Sequence, residues 1–154
     1  MKIRLIRVAK GGAKWADSAA ENWVKRFRSK WSFEEIKLKP APDNGNVENR
    51  RKRESEKLLG RIATHERLIV LDERGKLYRT EEFSEMISDS MNSSVKSLVF
   101  AIGGPFGHSE IIRSRAWRVL SLSKMVLNHE LARLLLVEQI YRSSTIIWGG
   151  SYHH

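Results

Sequence analysis

A short apolar run, Ser97–Ile102, leads directly into a turn with three glycines and one proline, and this pair of features restricts the fold most. A mostly apolar run of this length is typical of a central strand that is covered on both faces. The turn comprises residues 103–108. Gly103 and Gly104 allow the backbone to approach a ligand closely, while Pro105 fixes φ and has no N–H to donate. The sequence therefore predicts a buried strand that ends at a binding loop, and it disfavours a phosphate cradle.

Strand-like and helix-like patterns alternate along the whole chain. Strands are predicted at residues 2–8, 33–38, 67–71, 97–102 and 118–122, and helices at 15–29, 47–63, 80–91, 109–116 and 129–143. This order favours an α/β fold with a mainly parallel sheet and helices on both faces. The length of 154 residues fits one domain, 1–154.

The chain carries 28 basic and 18 acidic residues, a formal net charge of +10. Such a charge attracts polyanions, so nucleic acid is the expected partner. The alternative is that the charge only keeps the protein in solution and serves no partner. A membrane partner is not expected, because no apolar run reaches the roughly 20 residues that span a bilayer.

Cysteine is absent, which excludes disulfides and thiolate metal sites, and no metal is expected. It also disfavours modification of a pyrimidine carbon, which usually needs a covalent thiolate adduct. Residues 1–8 alternate basic and apolar side chains and predict a first strand, not a targeting segment. The expected location is the cytoplasm, or an organellar matrix or stroma if a presequence has been removed.

Three loops are expected to form one pocket. In an open α/β sheet, ligands bind beyond the carboxyl ends of the strands, here after Leu71, Ile102 and Leu122. The glycines after Ile102 do not match G-x-G-x-x-G, and no G-x-x-x-x-G-K-[ST] occurs, so a dinucleotide or nucleoside triphosphate site is disfavoured. An ordinary tight turn is the alternative interpretation.

Residues 50–53 form a basic run early in a predicted helix, where the helix dipole disfavours cations. Arg50 and Arg51 are therefore candidate RNA-binding residues, since arginine forks bind phosphate oxygens. The alternative is a solvated helix face that nearby glutamates neutralise.

His129 and Arg133 lie one turn apart at the start of the last helix, so both can point to the same place. Tyr152, His153 and His154 close the chain. Their rings could stack on and hydrogen-bond an unstacked RNA base, whereas a frayed tail or a tag remnant is the alternative.

Taken together, these segments resemble the ribosomal large-subunit RNA methyltransferases that modify N3 of a pseudouridine, the RlmH family of the SPOUT superfamily. The resemblance covers essentially the whole chain. It rests on the order and spacing of residues 71–72, 102–107, 120–123, His129 with Arg133, 138–142 and 152–153. It implies a trefoil knot in a cofactor-binding part at about 67–154, a homodimer and S-adenosylmethionine as cofactor.

The resemblance also implies roles for individual residues. His129, Arg133, Tyr152 and His153 would line the RNA side and are the candidate catalytic residues, with the tail reaching the partner subunit; Arg142 and His154 are further RNA-binding candidates. The cofactor would be held, largely through main-chain groups, by Leu71, Gly103, Gly104, Leu122, Ser123, Lys124, Met125, Val126, Leu127 and Asn128. Two positions depart from the family pattern: Asn128 replaces a proline or serine, and His154 replaces a terminal cation.

The sequence thus predicts an S-adenosylmethionine-dependent methyltransferase that acts on large-subunit rRNA of the 23S type, with the RNA expected within the ribosome. The alternatives are a non-catalytic basic RNA-binding or ribosome-assembly factor and a SPOUT methyltransferase of tRNA. A homodimer is also indicated by Trp117, Trp148 and the apolar side chains of the last helix, if these face outward.

Overall fold

A computed structural model describes residues 1–43 and 45–153. Five strands and five helices alternate along the described chain. They are β1 (Lys2–Val8), α1 (Lys14–Phe27), β2 (Ser32–Leu38), α2 (Val47–Leu59), β3 (Arg67–Leu77), α3 (Thr80–Asn92), β4 (Ser97–Ile102), α4 (Glu110–Arg115), β5 (Arg118–Ser121) and α5 (His129–Trp148).

The strands form one parallel sheet in the order β2-β1-β4-β3-β5. β4 lies at its centre and is buried along its whole length, because both faces of the sheet are covered. One face packs against α1, α3 and α5, and the other packs against α2 and α4. The predicted α/β class, with a parallel sheet between two helical layers, is confirmed.

β3 extends to Leu77, six residues beyond its predicted end at Leu71. The sequence does not predict this extension, because residues 72–76 lack the apolar pattern of a buried strand. The register with β5 shifts between Leu71 and Lys76, and both of these residues pair with Leu120. At the shift, a Cβ on Gly75 would lie 2.6 Å from the Leu120 carbonyl carbon, so the two backbones are in direct contact.

Two helices end four or more residues away from their predicted ends. α2 ends at Leu59, before Gly60, instead of residue 63, whereas α5 continues past residue 143 to Trp148. Serines at 143 and 144 disfavour a helix interior, but here their hydroxyls donate to main-chain carbonyls of the preceding turn. Gly149 ends α5 with a positive φ of 75°, a conformation that glycine adopts without strain. Among the described residues, no helix is long and apolar enough to cross a membrane.

Candidate functional site

A cavity of about 590 Å³ lies at the carboxyl edge of the sheet, between the loops that follow β4 and β5 and the polar section of β3. Its wall contains the predicted cofactor residues, except Lys124: Leu71, Gly103, Gly104, Leu122, Ser123, Met125, Val126, Leu127 and Asn128. The three loops predicted to converge therefore meet in one cavity. Further wall residues are Asp72, Glu73, Arg74, Phe106, His108 and Ala132.

The turn after β4 is closed by its own backbone. The Gly107 N–H donates to the Gly104 carbonyl over 2.9 Å, and Gly107 has a φ of 73°. A Cβ on Gly103 would lie 3.0 Å from the Gly107 carbonyl, so this position has no room for a larger residue. Glycine is needed here for the shape of the cavity wall.

Two arginines of α2 support this turn from outside. The Arg51 Nε donates to the Phe106 carbonyl over 2.9 Å, and the Arg50 guanidinium lies 5.1 Å from the centre of the Phe106 ring. Arg50 is only 8% exposed and pairs with Glu54. The prediction that Arg50 presents a free guanidinium to phosphate is therefore wrong, since a buried cation requires its carboxylate partner. Arg51 does reach the cavity wall.

The loop after β5 presents main-chain groups. The N–H groups of Lys124, Val126 and Leu127 have no hydrogen-bond partner within the described chain, while the Met125 N–H donates to the Ser123 hydroxyl. The Lys124 side chain is exposed and does not line the cavity, so its predicted role in holding the cofactor would rest on its main-chain N–H. Solvent stabilises its charge better than the partly apolar wall would.

Asp72 is a fixed negative charge in the cavity wall. Its carboxylate accepts hydrogen bonds from Arg74 and from Arg113 of α4. Burial opposes its ionisation, but these hydrogen bonds outweigh burial and lower the pKa of Asp72 to about 2. The position of Asp72 directly after the apolar start of β3 was the only signal for this role in the sequence.

His108 is a buried wall residue that the prediction did not include among the site residues. It is 1% exposed, and neither of its ring nitrogens has a well-aligned hydrogen-bond partner among the described residues. Burial lowers the pKa of His108 to about 4, although the Asp72 carboxylate acts in the opposite direction. The imidazole is therefore neutral at physiological pH.

His129 and Arg133 both lie beside the Glu130 carboxylate, as predicted for side chains one turn apart, but only His129 lines the cavity. His129 begins α5 at the cavity wall, with its Nε2 3.7 Å from a Glu130 carboxylate oxygen. Arg133 is 6% exposed and pairs with Asp17, Glu35 and Glu130. Buried Arg7 shares the Glu35 and Glu130 carboxylates, so the two cations form one buried ionic cluster. The prediction that Arg133 contacts RNA directly disagrees with this burial.

Residues 150–153 fold back along α5. The Tyr152 ring lies 4.8 Å from the Tyr141 ring and 5.5 Å from the Trp23 ring, and the Arg142 guanidinium lies 4.5 Å from it. Arg142 also pairs with Glu138, and His153 lies 3.4 Å from Glu81. Tyr141 is roughly 18 Å along the helix axis from His129, at about 1.5 Å per residue. One chain therefore does not bring Tyr152 and His153 to its own His129. His154, another predicted RNA contact, lies outside the described residues.

The tryptophans predicted as dimer contacts have partners inside the chain. The guanidinium groups of Arg67 and Arg118 lie over the half-buried Trp117 ring, and the Trp148 ring lies 5.0 Å from the Trp31 ring. Trp148 nevertheless remains 40% exposed, as a dimer contact would require. In α5, the side chains of Leu136, Val137 and Ile140 belong to the core.

The parallel α/β sheet and the cavity built from its carboxyl-end loops agree with a family match over the chain. A family model described as "Predicted SPOUT methyltransferase" matches residues 1–153, and the chain belongs to the SPOUT methyltransferase family. The resemblance seen in the sequence is thereby confirmed.

Proteins named ribosomal RNA large subunit methyltransferase H are similar to this chain over its full length. The protein from Flavobacterium johnsoniae is 38% identical over 159 residues, with 100% of this chain and 99% of the relative covered. The protein from Trichlorobacter lovleyi is 38% identical and that from Cytophaga hutchinsonii is 36% identical, each with both chains fully covered.

Proposed function

We propose that this chain is an S-adenosylmethionine-dependent methyltransferase that modifies N3 of a pseudouridine in large-subunit rRNA. The cavity at the carboxyl edge of the sheet carries this proposal. Relatives that match from end to end bear the name of an rRNA large-subunit methyltransferase. The net charge of +10 suits a polyanionic substrate.

The cavity residues fit S-adenosylmethionine. A volume of about 590 Å³ falls within the usual range for cofactor sites. Leu71, Ile102 and Leu122 would flank the adenine ring, and the free N–H groups of the loop after β5 would donate to its polar edge or to the ribose.

S-adenosylmethionine, when bound, supplies a methyl group that is already activated by its sulfonium. The protein therefore has to position the nucleobase beside this methyl group and to accept the proton that N3 loses. The turn at residues 103–107 and the loop at residues 122–128 each form one wall of the cavity. These two walls restrict the direction from which the target nucleobase can approach.

His129 is our candidate for the group that accepts the N3 proton. It lies at the cavity wall with 36% of its side chain exposed, so a nucleobase that enters the cavity can contact the imidazole. Imidazole is the side chain whose ordinary pKa is nearest neutrality. Arg133 would act indirectly, since its ion pairs with Glu130 and Glu35 fix the first turn of α5.

We also propose that the enzyme is a homodimer in which each tail serves the other subunit. Tyr152 and His153 lie too far along α5 to reach their own cavity, so a second copy would have to supply them. Near the cavity, Met125, Val126 and Leu131 are 74%, 82% and 47% exposed, and this apolar surface suits burial against a partner.

The remaining features follow from the same family. We propose a trefoil knot within residues 67–154, as the family implies. We place the enzyme in the cytoplasm, where it would meet its RNA within the ribosome.

The decisive experiment incubates the protein with S-adenosylmethionine and unmodified large ribosomal subunits and then analyses nucleosides by mass spectrometry. N3-methylpseudouridine is the expected product. A methylated tRNA nucleoside instead would indicate the tRNA-modifying alternative. Absence of cofactor binding in calorimetry would indicate a non-catalytic RNA-binding factor.

His129→Ala tests the proton-accepting role under single-turnover conditions. We expect methylation to slow by a factor of roughly 100, the usual contribution of a general base. His65→Ala changes a histidine of the loop between α2 and β3 and serves as the control. Undiminished single-turnover methylation would remove His129 from this role.

A further inference from the structure

At the β5 edge of the sheet, Arg118 of β5 and Arg67 and Lys76 of β3 are cations that no carboxylate within the described chain neutralises. The guanidinium carbons of Arg67 and Arg118 lie 4.2 Å and 4.5 Å from the centre of the Trp117 ring. Lys76 pairs in register with Leu120, two residues beyond Arg118, and its ammonium lies 4.9 Å from the centre of the Tyr78 ring. Together, Arg67, Lys76, Tyr78, Trp117 and Arg118 are called the β5-edge patch.

None of the three cations of the patch forms an ion pair with the residues that the structure describes. Arg67 donates to the Ser90 hydroxyl, and Arg118 donates only to the Trp117 carbonyl, so most of their N–H groups are free. The patch therefore differs from Arg50, Arg133 and Arg142, whose charges are all paired.

Two guanidinium groups around one indole repel each other. Both lie within 4.5 Å of the same ring centre, which places them within one Debye length, about 10 Å at 0.1 M salt. Trp117 offsets part of this cost through cation–π contacts and holds the two planar forks in place. Anions bound at the two forks would remove the remaining repulsion.

The patch lies near the cavity. Arg118 and the cavity residue Ser121 belong to the same strand, three residues or roughly 10 Å apart. Lys76 pairs in register with Leu120, another wall residue. In the chain, Lys76 is separated from the wall residue Arg74 only by Gly75.

We propose that the β5-edge patch binds the RNA strand beside the target nucleotide, with Arg67 and Arg118 on phosphate oxygens. This inference rests on the proposed function. RNA fits better than an acidic protein, because the patch adjoins the cavity that the target nucleobase would enter, and arginine forks bind phosphate oxygens bidentately. The substrate thus has a second contact site outside the cavity.

The test compares the salt dependence of binding to unmodified large ribosomal subunits in the absence of a methyl donor. Log K falls as log salt concentration rises, and each lost phosphate contact makes this slope shallower by roughly 0.7 to 0.9. For the Arg67→Gln/Arg118→Gln double variant, we expect the slope to fall by about 1 to 2. The matched control is Lys37→Gln/Lys39→Gln, which removes the same charge from the β2 end of the sheet, where both lysines are exposed and unpaired among the described residues.

A slope equal to that of the unaltered protein, or an equal fall in the control, would overturn the proposal. Arg118→Gln alone covers the case in which the double variant does not fold, because the Arg118 side chain is exposed and bonds only to a neighbouring carbonyl. Its expected fall is about 0.7 to 0.9. If the unaltered protein binds subunits but leaves N3 unmethylated, the proposed function is wrong. The salt dependence of binding still tests the patch in that case.

Discussion

The Arg51 side chain donates a hydrogen bond through Nε to the carbonyl oxygen of Phe106 over 2.9 Å. This contact joins α2 to the glycine turn across 55 positions of sequence. Arg50 packs on the Phe106 ring from the same helix, so consecutive arginines hold both the backbone and the side chain of one residue. Arg50 and Arg51, which the sequence predicts to bind phosphate, instead support the wall of the candidate cofactor cavity.

Arg51→Met should weaken the binding of S-adenosylmethionine. The substitution keeps much of the side-chain volume but removes the hydrogen bond to Phe106, which is worth about 0.5 to 1.5 kcal/mol. We expect the Kd in calorimetry to rise by a factor of roughly 2 to 12. Lys52→Met on the same helix is the control, since Lys52 is exposed and forms no ion pair within the described chain. Equal affinities for both variants would show that the turn keeps its shape without Arg51.

Gly75→Ala should destabilise the fold at the register shift between β3 and β5. The added Cβ would lie 2.6 to 2.7 Å from backbone atoms of Val119 and Leu120, so the strands must separate. We expect the free energy of unfolding in urea to fall by about 1 to 3 kcal/mol. Gly11→Ala is the matched control, because a Cβ at that position would have no atom within 4 Å. A loss below about 0.5 kcal/mol, relative to that control, is the size of an ordinary surface change and would contradict the close backbone contact.

The main fold could be predicted because each strand carries a strong local pattern. The central strand Ser97–Ile102 has the same bounds in the sequence prediction and in the structure, since an apolar run between polar turns leaves little choice. The section of β3 after Leu71 escaped prediction because its polar residues pair with β5 through a register shift. Such a pairing depends on the position of a distant strand.

The candidate site could be predicted in part. Main-chain loops at strand ends are predictable because topology alone brings them together. The partners of charged side chains are not, since Arg133 meets Glu35 and Asp17 only after β2 and α1 have packed against α5. Nothing near Arg133 in sequence distinguishes a guanidinium that binds RNA from one that binds buried carboxylates.

His108→Leu should flatten the pH dependence of stability between pH 6.5 and about 4. The folded-state pKa of His108 is about 4, below its ordinary value of 6.5, so the unfolded chain binds more protons in this range. The stability that neutral His108 contributes is complete above pH 6.5 and is lost as pH falls toward 4. The difference corresponds to about 3 kcal/mol at about 1.36 kcal/mol per pKa unit.

The measurement is urea unfolding of the unaltered protein and of His108→Leu at several pH values from about 7 to about 4. At neutral pH the variant should be about as stable, because leucine replaces two ring nitrogens that have no well-aligned partner among the described residues with an apolar group. His65→Leu, a change in the loop before β3, controls for the loss of a histidine. Parallel pH curves for the unaltered protein and His108→Leu would contradict a buried neutral imidazole.

Glu35→Gln should disrupt the buried ionic cluster beneath His129. The Glu35 carboxylate accepts from Arg7 over 2.6 Å and from Arg133 over 2.9 Å, and these two cations are 2% and 6% exposed. Removing its charge leaves Arg7 and Arg133 with fewer negative partners in a buried space, which should cost roughly 3 kcal/mol of unfolding free energy in urea. Glu21→Gln breaks the exposed pair with Lys25 and should cost at most about 0.5 kcal/mol. If both variants lose the same small amount, solvent reaches the cluster and Arg133 is free to act elsewhere.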